Sequence, residues 1–128
     1  MTDIEATVAD IIDVAFKLHK DLGPGLFESV YEAILAAKLV EYGHAVIQQC
    51  PIDIVYDGLR LQSAFKADLI VNGCVLVELK SIERLAPVHS KQVLTYLRLL
   101  KQPVGLLINF GGATLKEGLR RIVNGYTP

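Results

Sequence analysis

The strongest constraint on this chain lies between residues 65 and 80, where two alternating runs flank Asn72-Gly73-Cys74. Side chains alternate across a strand, so this period of two marks a pair of strands joined by a hairpin turn. With a turn spanning residues 72–74, Val71 faces Val75, Leu69 faces Val77, Asp68 faces Glu78 and Lys66 faces Lys80. One face then gathers Phe65, Ala67, Leu69, Val71, Val75, Val77 and Leu79, with no polar atom among its side chains. The other gathers Lys66, Asp68, Ile70, Leu76, Glu78 and Lys80. A two-residue turn at Asn72-Gly73 would instead set Asp68 against Val77 and Glu78 against Ala67. Burying an unpaired charge costs more than a turn preference can return, so the odd turn, or an equivalent bulge, is expected.

Around this hairpin the period changes. Residues 3–21 place Ile4, Val8, Ile11, Ile12, Ala15 and Leu18 near helical spacing, with Thr2 or Asp3 as cap. Gly23-Pro24-Gly25 interrupts that helix, and a second is expected from about Leu26 to Tyr42, burying Val30, Ile34, Ala37 and Leu39 or Val40. Residues 45–55 suggest a strand in which Pro51 marks an edge or a bulge. Asp57-Gly58 signals a turn into a short strand over residues 59–63, ahead of a separate strand over 65–71. Pro87 opens a helix to about Lys101, and residues 103–110 form an apolar run typical of a buried strand. The tail from Ala113 to Asn124 is expected as a helix, with pairing of residues 119–123 as a strand the alternative. The order is α-α-β-β-β-β-α-β-α, helices packed on a mixed sheet in an α/β (α+β) arrangement.

At 128 residues the chain has the size of one domain, since cores organise ~100–150 residues before a chain splits, and 1–128 is expected to be a single domain. With 52% apolar residues it can bury a core without disulfide or zinc staples. No uncharged apolar stretch of membrane-spanning length is present, and the acidic start Met-Thr-Asp-Ile-Glu does not resemble a signal peptide. A cytoplasmic protein is the expectation, with Cys50 and Cys74 as reduced core thiols. The net charge of −1 conceals an asymmetry. Residues 1–59 carry three basic and ten acidic side chains, and residues 60–128 carry ten basic and four acidic. A nucleic-acid partner is permitted on the C-terminal side.

The polar face of the hairpin carries the chemistry. Asp68 and Glu78 side by side, with Lys80 two residues on, suit a hard divalent cation such as Mg²⁺, which takes one or two carboxylates and keeps water and substrate oxygen for the rest. A lysine there can orient or deprotonate an attacking water, or stabilise charge on a phosphoryl group. An isolated Glu-x-Lys is also common on solvated strands. In the second helix Glu28 is the only acid on the turn that carries Leu26, Phe27, Val30 and Tyr31, and it also suits the positive end of a helix. In the third, His89, Gln92 and Tyr96 share one stripe beside a solvated stripe of Lys91, Thr95 and Arg98.

Taken together these segments resemble a known family. Gly25-Leu26-Phe27-Glu28-Ser29-Val30-Tyr31 resembles the G-x-x-E-x-x-Y motif of the GxxExxY protein family, a branch of the PD-(D/E)XK nuclease superfamily. Ala67-Asp68, followed by Glu78-Leu79-Lys80, resembles the superfamily's split D…E-x-K signature, with Ala67 in place of the proline. Residues 89–97 resemble the helix carrying a Q-x-x-x-Y motif in RecB-like nucleases. The resemblance covers roughly residues 8 to 125. It implies a restriction-endonuclease-like core, α-β-β-β-α-β, and a Mg²⁺- or Mn²⁺-dependent nuclease. By this resemblance Asp68, Glu78, Lys80, Glu28 and Gln92 are the catalytic set, and Glu28, Asp68, Glu78 and the Leu79 carbonyl are the metal ligands. Tyr96, Lys66, His89 and Tyr31 are the expected substrate contacts. The implied partner is nucleic acid, DNA ahead of RNA, with a homodimer or a partner protein supplying specificity. The competing expectations are a binding or assembly module that keeps the fold without cleaving, and a metal-free structural domain.

Overall fold

A computed structural model describes residues 3–128. Helix α1 spans Ile4–Leu22, and the Asp3 carboxylate caps it by accepting from Glu5 N at 2.9 Å and Ala6 N at 3.3 Å. The alternative cap, Thr2, lies outside the described residues. Gly23, at φ 74°, ends the helix where an L-residue would be strained. Helix α2 spans Glu28–Glu41 and buries Tyr31, Leu35, Ala36 and Leu39. This corrects the expected stripe in part, because Val30 and Ala37 face solvent and Ile34 is half-buried, while of Leu39 or Val40 it is Leu39 that is buried. The buried row is set by Tyr31, whose ring stacks on Phe110 with centroids 4.3 Å apart.

Three antiparallel strands follow: β1 (Val46–Tyr56), β2 (Leu59–Val71) and β3 (Val75–Lys80). Helix α3 (Pro87–Leu100) then crosses to β4 (Val104–Asn109), which runs parallel to β3. A 3₁₀ turn (Lys116–Gly118) leads into β5 (Leu119–Val123), antiparallel to β4. Spatial order in the five-stranded mixed sheet equals chain order. The elements α2-β1-β2-β3-α3-β4 reproduce the expected α-β-β-β-α-β core. Among the described residues no helix is long and apolar enough to cross a membrane.

The hairpin register is the expected one, with Leu69 opposite Val77, Ile70 opposite Leu76 and Val71 opposite Val75. Pro51 lies on the edge strand, where its missing N–H costs no ladder bond. Three expectations are corrected. Residues 59–63 and 65–71 form one continuous strand, whose pairing with β1 shifts register between Ile52 and Ile54. The helix expected for the tail gives way to the stated alternative, pairing of residues 119–123 as a strand, because β4 would otherwise present an unpaired edge that β5 fills from Val123 to Leu119. The alternation also reverses partway along β2. Leu69, Val71, Val75, Val77 and Leu79 pack under α1 and α2, whereas Ala67 and Phe65 join Ile52, Ile70, Leu76 and Leu107 under α3.

The sheet is thus covered on both faces, and the face expected to be polar is apolar except at one end. Strands β3 and β4 are buried almost throughout, as their near-continuous apolar composition requires. Cys50 and Cys74 are free thiols, half-buried at the margins of the two apolar clusters rather than within them.

The end of β3 is anchored from two sides. The Asn109 side chain, 2% exposed, accepts from Ile82 N (3.0 Å) and Gly111 N (3.0 Å) and donates to Ile82 O (2.9 Å). Ser81 donates its hydroxyl to Leu26 O in the loop before α2. Replacing Asn109 by alanine leaves buried backbone groups without partners, and an expected loss of about 2–3 kcal/mol in urea denaturation follows. A change within experimental error would show that this clamp does not hold the strand end.

Candidate active site

Strand β2 pairs with β3 only as far as Leu69. Beyond that rung the strands part, and two carboxylates take over the backbone donors the ladder leaves open. Glu78 Oε1 accepts from Asp68 N at 3.0 Å, and Asp68 Oδ2 accepts from Leu79 N at 2.8 Å. Asp68 and Glu78 therefore stand together, as the sequence register implies, but linked through side chains. In a strand the N–H and C=O of one residue leave on the same edge, so the Leu79 carbonyl opens on the edge that faces Asp68.

Glu78 is 7% exposed. Burial pushes its carboxyl up from 4.5 to about 8, and the neighbouring Asp68 charge adds to the shift. The hydrogen bond from Asp68 N and the charge of Lys80 oppose it. Glu28, in the first turn of α2, completes the neighbourhood. Desolvation raises its carboxyl, the Lys80 charge lowers it, and the charges of Asp68 and Glu32 raise it further. Tyr96 on α3 stacks on Phe65 with centroids 4.0 Å apart. Its hydroxyl is pushed up by burial first and then by the charges of Glu78 and Asp68, so it lies within electrostatic reach of the pair.

The structure therefore brings together Asp68, Glu78, Lys80, Glu28 and Tyr96. Other expected residues stand elsewhere. Tyr31 is fully buried, donates to Gly23 O and accepts from Leu26 N at 3.3 Å. Its ring and hydroxyl are committed to packing, which corrects its assignment to substrate contact. His89 accepts from Ala86 N at 2.9 Å through Nδ1 and so closes the first turn of its own helix. Lys66 is exposed on β2 and pairs with Pro51; the expected rung with Lys80 does not form, because the strands have already separated. Gln92 is exposed on α3.

Three residues not singled out from the sequence, Glu32, Gln48 and Gln49, belong to the same neighbourhood. Glu32 accepts from Gln48 Nε2 at 3.1 Å and Gln49 Nε2 at 2.6 Å, and Gln49 Nε2 also lies 3.3 Å from Asp68 Oδ1. Their signal is the pair of consecutive glutamines in the first half of a strand whose neighbours there are apolar.

Among the described residues no group of three or more His, Cys, Asp or Glu side chains is gathered at ligand spacing, so the expected trio of carboxylates reduces to the Asp68–Glu78 pair. The donor set still fits a hard divalent ion. Two carboxylates and a carbonyl oxygen suffice for an ion that retains several waters, and a buried carboxyl with a raised proton affinity is one that a cation would relieve.

A family model for the PD-(D/E)XK nuclease superfamily matches residues 5–122. The chain belongs to that superfamily, and its five-stranded mixed sheet flanked by helices is consistent with a restriction-endonuclease-like fold. No curated protein and no solved structure gives a significant match.

The Glu78 shift has a defined consequence for stability. Between pH 4.5 and about 8 the folded chain holds a proton that the unfolded chain has released. The contribution of Glu78 is thus complete below the lower value and lost as pH rises through the upper one. Relative to wild type, metal-free Glu78→Gln is expected to gain roughly 2–5 kcal/mol on going from pH 5 to pH 8.5, measured by urea denaturation. Parallel stability profiles for the two proteins would contradict a buried, proton-holding Glu78.

Proposed function

We propose that this protein is a divalent-metal-dependent nuclease of the GxxExxY branch, hydrolysing phosphodiester bonds of nucleic acid as a single domain. The observation that carries this reading is the opened hairpin, where Asp68 and a buried Glu78 stand together with Lys80 on the same strand. Asp68, Glu78 and the Leu79 carbonyl would hold the ion, with Glu28 reaching it only through water. Bound Mg²⁺ or Mn²⁺ supplies Lewis acidity toward a phosphoryl oxygen and lowers the pKa of water.

The chain's own residues do the rest. Lys80 sets a cation beside the phosphoryl group and offsets the charge that develops there. The Tyr96 hydroxyl orients water or a phosphate oxygen, while Gln92, Lys66 and His89, which stand outside the carboxylate pair, would contact the nucleic acid further along the strand. The mostly basic second half of the sequence, which supplies Lys66, Lys80, Lys91 and Arg98, favours a polyanionic substrate.

A second reading has its own observation. The β1–β2 ribbon carries exposed Val55, Tyr56, Leu59 and Leu61 near its tip, a surface suited to a protein contact. It supports an assembly module working with a partner protein or a second copy.

Labelled single- and double-stranded DNA and RNA, incubated with Mg²⁺ or Mn²⁺, test the first reading. Cleavage that requires the ion is expected, and Glu78→Ala/Lys80→Ala should lower its rate by about a thousandfold or more. Absence of cleavage by folded protein on every strand would transfer the assignment to the assembly module. An Asp68→Ala variant as fast as wild type would exclude this site.

A further inference from the structure

Besides the register shift beyond Ile52, one rung is missing from the β1–β2 ladder. Strands β1 and β2 pair Val46 with Val71, Ile47 with Ile70 and Gln48 with Leu69, then Cys50 with Ala67, Pro51 with Lys66 and Ile52 with Phe65. The register is the same on both sides of the gap, and the absent pair is Gln49 with Asp68. At that point Gln49 adopts φ 52°. The other non-glycine residues of positive φ have local explanations. Asp57 and Asn72 sit in hairpin turns, Lys101 follows α3 as its cap, and Ser63 lies at the β2 register shift. No inserted residue accounts for Gln49, and the left-handed conformation is unfavourable for an L-residue with a long side chain.

The side chain explains what the backbone does. A regular strand would send residue 49 to one face and keep the alternation on both sides of it. Instead the left-handed step turns Gln49 toward α2 and Asp68, and downstream Cys50 and Ile52 join the cluster under α3. Its Nε2 faces two carboxylate oxygens, Glu32 Oε1 at 2.6 Å and Asp68 Oδ1 at 3.3 Å. Only the amino end of the amide can satisfy two acceptors, so its orientation is fixed. Glu32 is fixed in turn by Gln48 Nε2 on its other oxygen at 3.1 Å. Asp68 is thus held at Oδ1 by Gln49 and at Oδ2 by Leu79 N.

We propose that Gln49 is a positioning residue whose left-handed backbone aims a neutral amide between Glu32 and Asp68, fixing the Asp68 carboxylate for cation binding. This rests on the reading of Asp68 and Glu78 as a metal site. The backbone strain is kept because the conformation that relieves it would withdraw the amide from Asp68.

The test is calorimetric titration of Mn²⁺ into purified protein, with melting temperatures measured metal-free. Gln49→Gly and Gln49→Ala are each expected to weaken Mn²⁺ binding by about tenfold, the usual scale for a residue that orients a ligand. Metal-free Gln49→Gly should melt above Gln49→Ala, since glycine takes positive φ without strain. Gln49→Asn tolerates the same backbone but cannot span both carboxylates, and should lose affinity likewise. In an Asp68→Asn background, Gln49→Gly should change nothing further. Wild-type affinity in the Gly and Asn variants, with Asp68→Asn impaired, would overturn the positioning role and leave the metal site standing. Failure of the wild type to bind Mn²⁺, or equal binding by Asp68→Asn, would instead overturn the metal site itself.

Discussion

Everything near the site follows from one exchange, in which two carboxylates replace backbone acceptors at the point where β2 leaves β3. Buried N–H groups must find partners, and a ladder that ends inside a protein normally leaves several without them. Here Asp68 N and Leu79 N are satisfied by Glu78 and Asp68 side chains. The same contacts that close the sheet therefore hold the two acids side by side. Neither residue is an appendage on a finished fold. Both terminate the hairpin and present oxygen donors, and this double duty sets Asp68 and Glu78 at adjacent positions.

Burial supplies the second condition. Helices α1 and α2 cover one face of the sheet and α3 the other, so the C-terminal half of β3 is enclosed whatever residue it carries. A carboxyl in that position costs stability at neutral pH, expressed as the rise of Glu78 to about 8. An apolar residue would fit the strand better. A site held at the expense of local stability is what a functional reading expects, because binding of a cation recovers the cost that folding alone does not. The anchoring of the strand end by Asn109 and Ser81 keeps Lys80 and the lead into α2 in fixed relation to the pair.

Much of this was legible in the sequence for a physical reason. The hairpin register could be read because the wrong register would mix Asp68 and Glu78 into a wholly apolar face, and charge burial is expensive enough to decide between turns. Strand β4 was legible from its apolar run. The failures have reasons as well. The reversal of faces at Gln49 and Asp68 could not be read, since alternation assumes an unbroken ladder and nothing local in glutamine announces positive φ. The tail could not be decided between helix and strand because its pairing depends on the free edge of β4, which is a tertiary fact. Tyr31 was placed at the substrate by its motif, whereas its stacking on Phe110 belongs to the core. Glu32 escaped notice because its role comes from glutamines sixteen and seventeen residues away.

The most direct measurement is a crystal structure grown with Mn²⁺ and recorded at a wavelength where the ion scatters anomalously. The account predicts a single strong anomalous peak between the Asp68 and Glu78 carboxylates, within coordination distance of the Leu79 carbonyl, that disappears in Asp68→Asn. An anomalous map with no peak there, while Glu78 keeps its hydrogen bond to Asp68 N, would contradict the claim that the opened hairpin is a cation site.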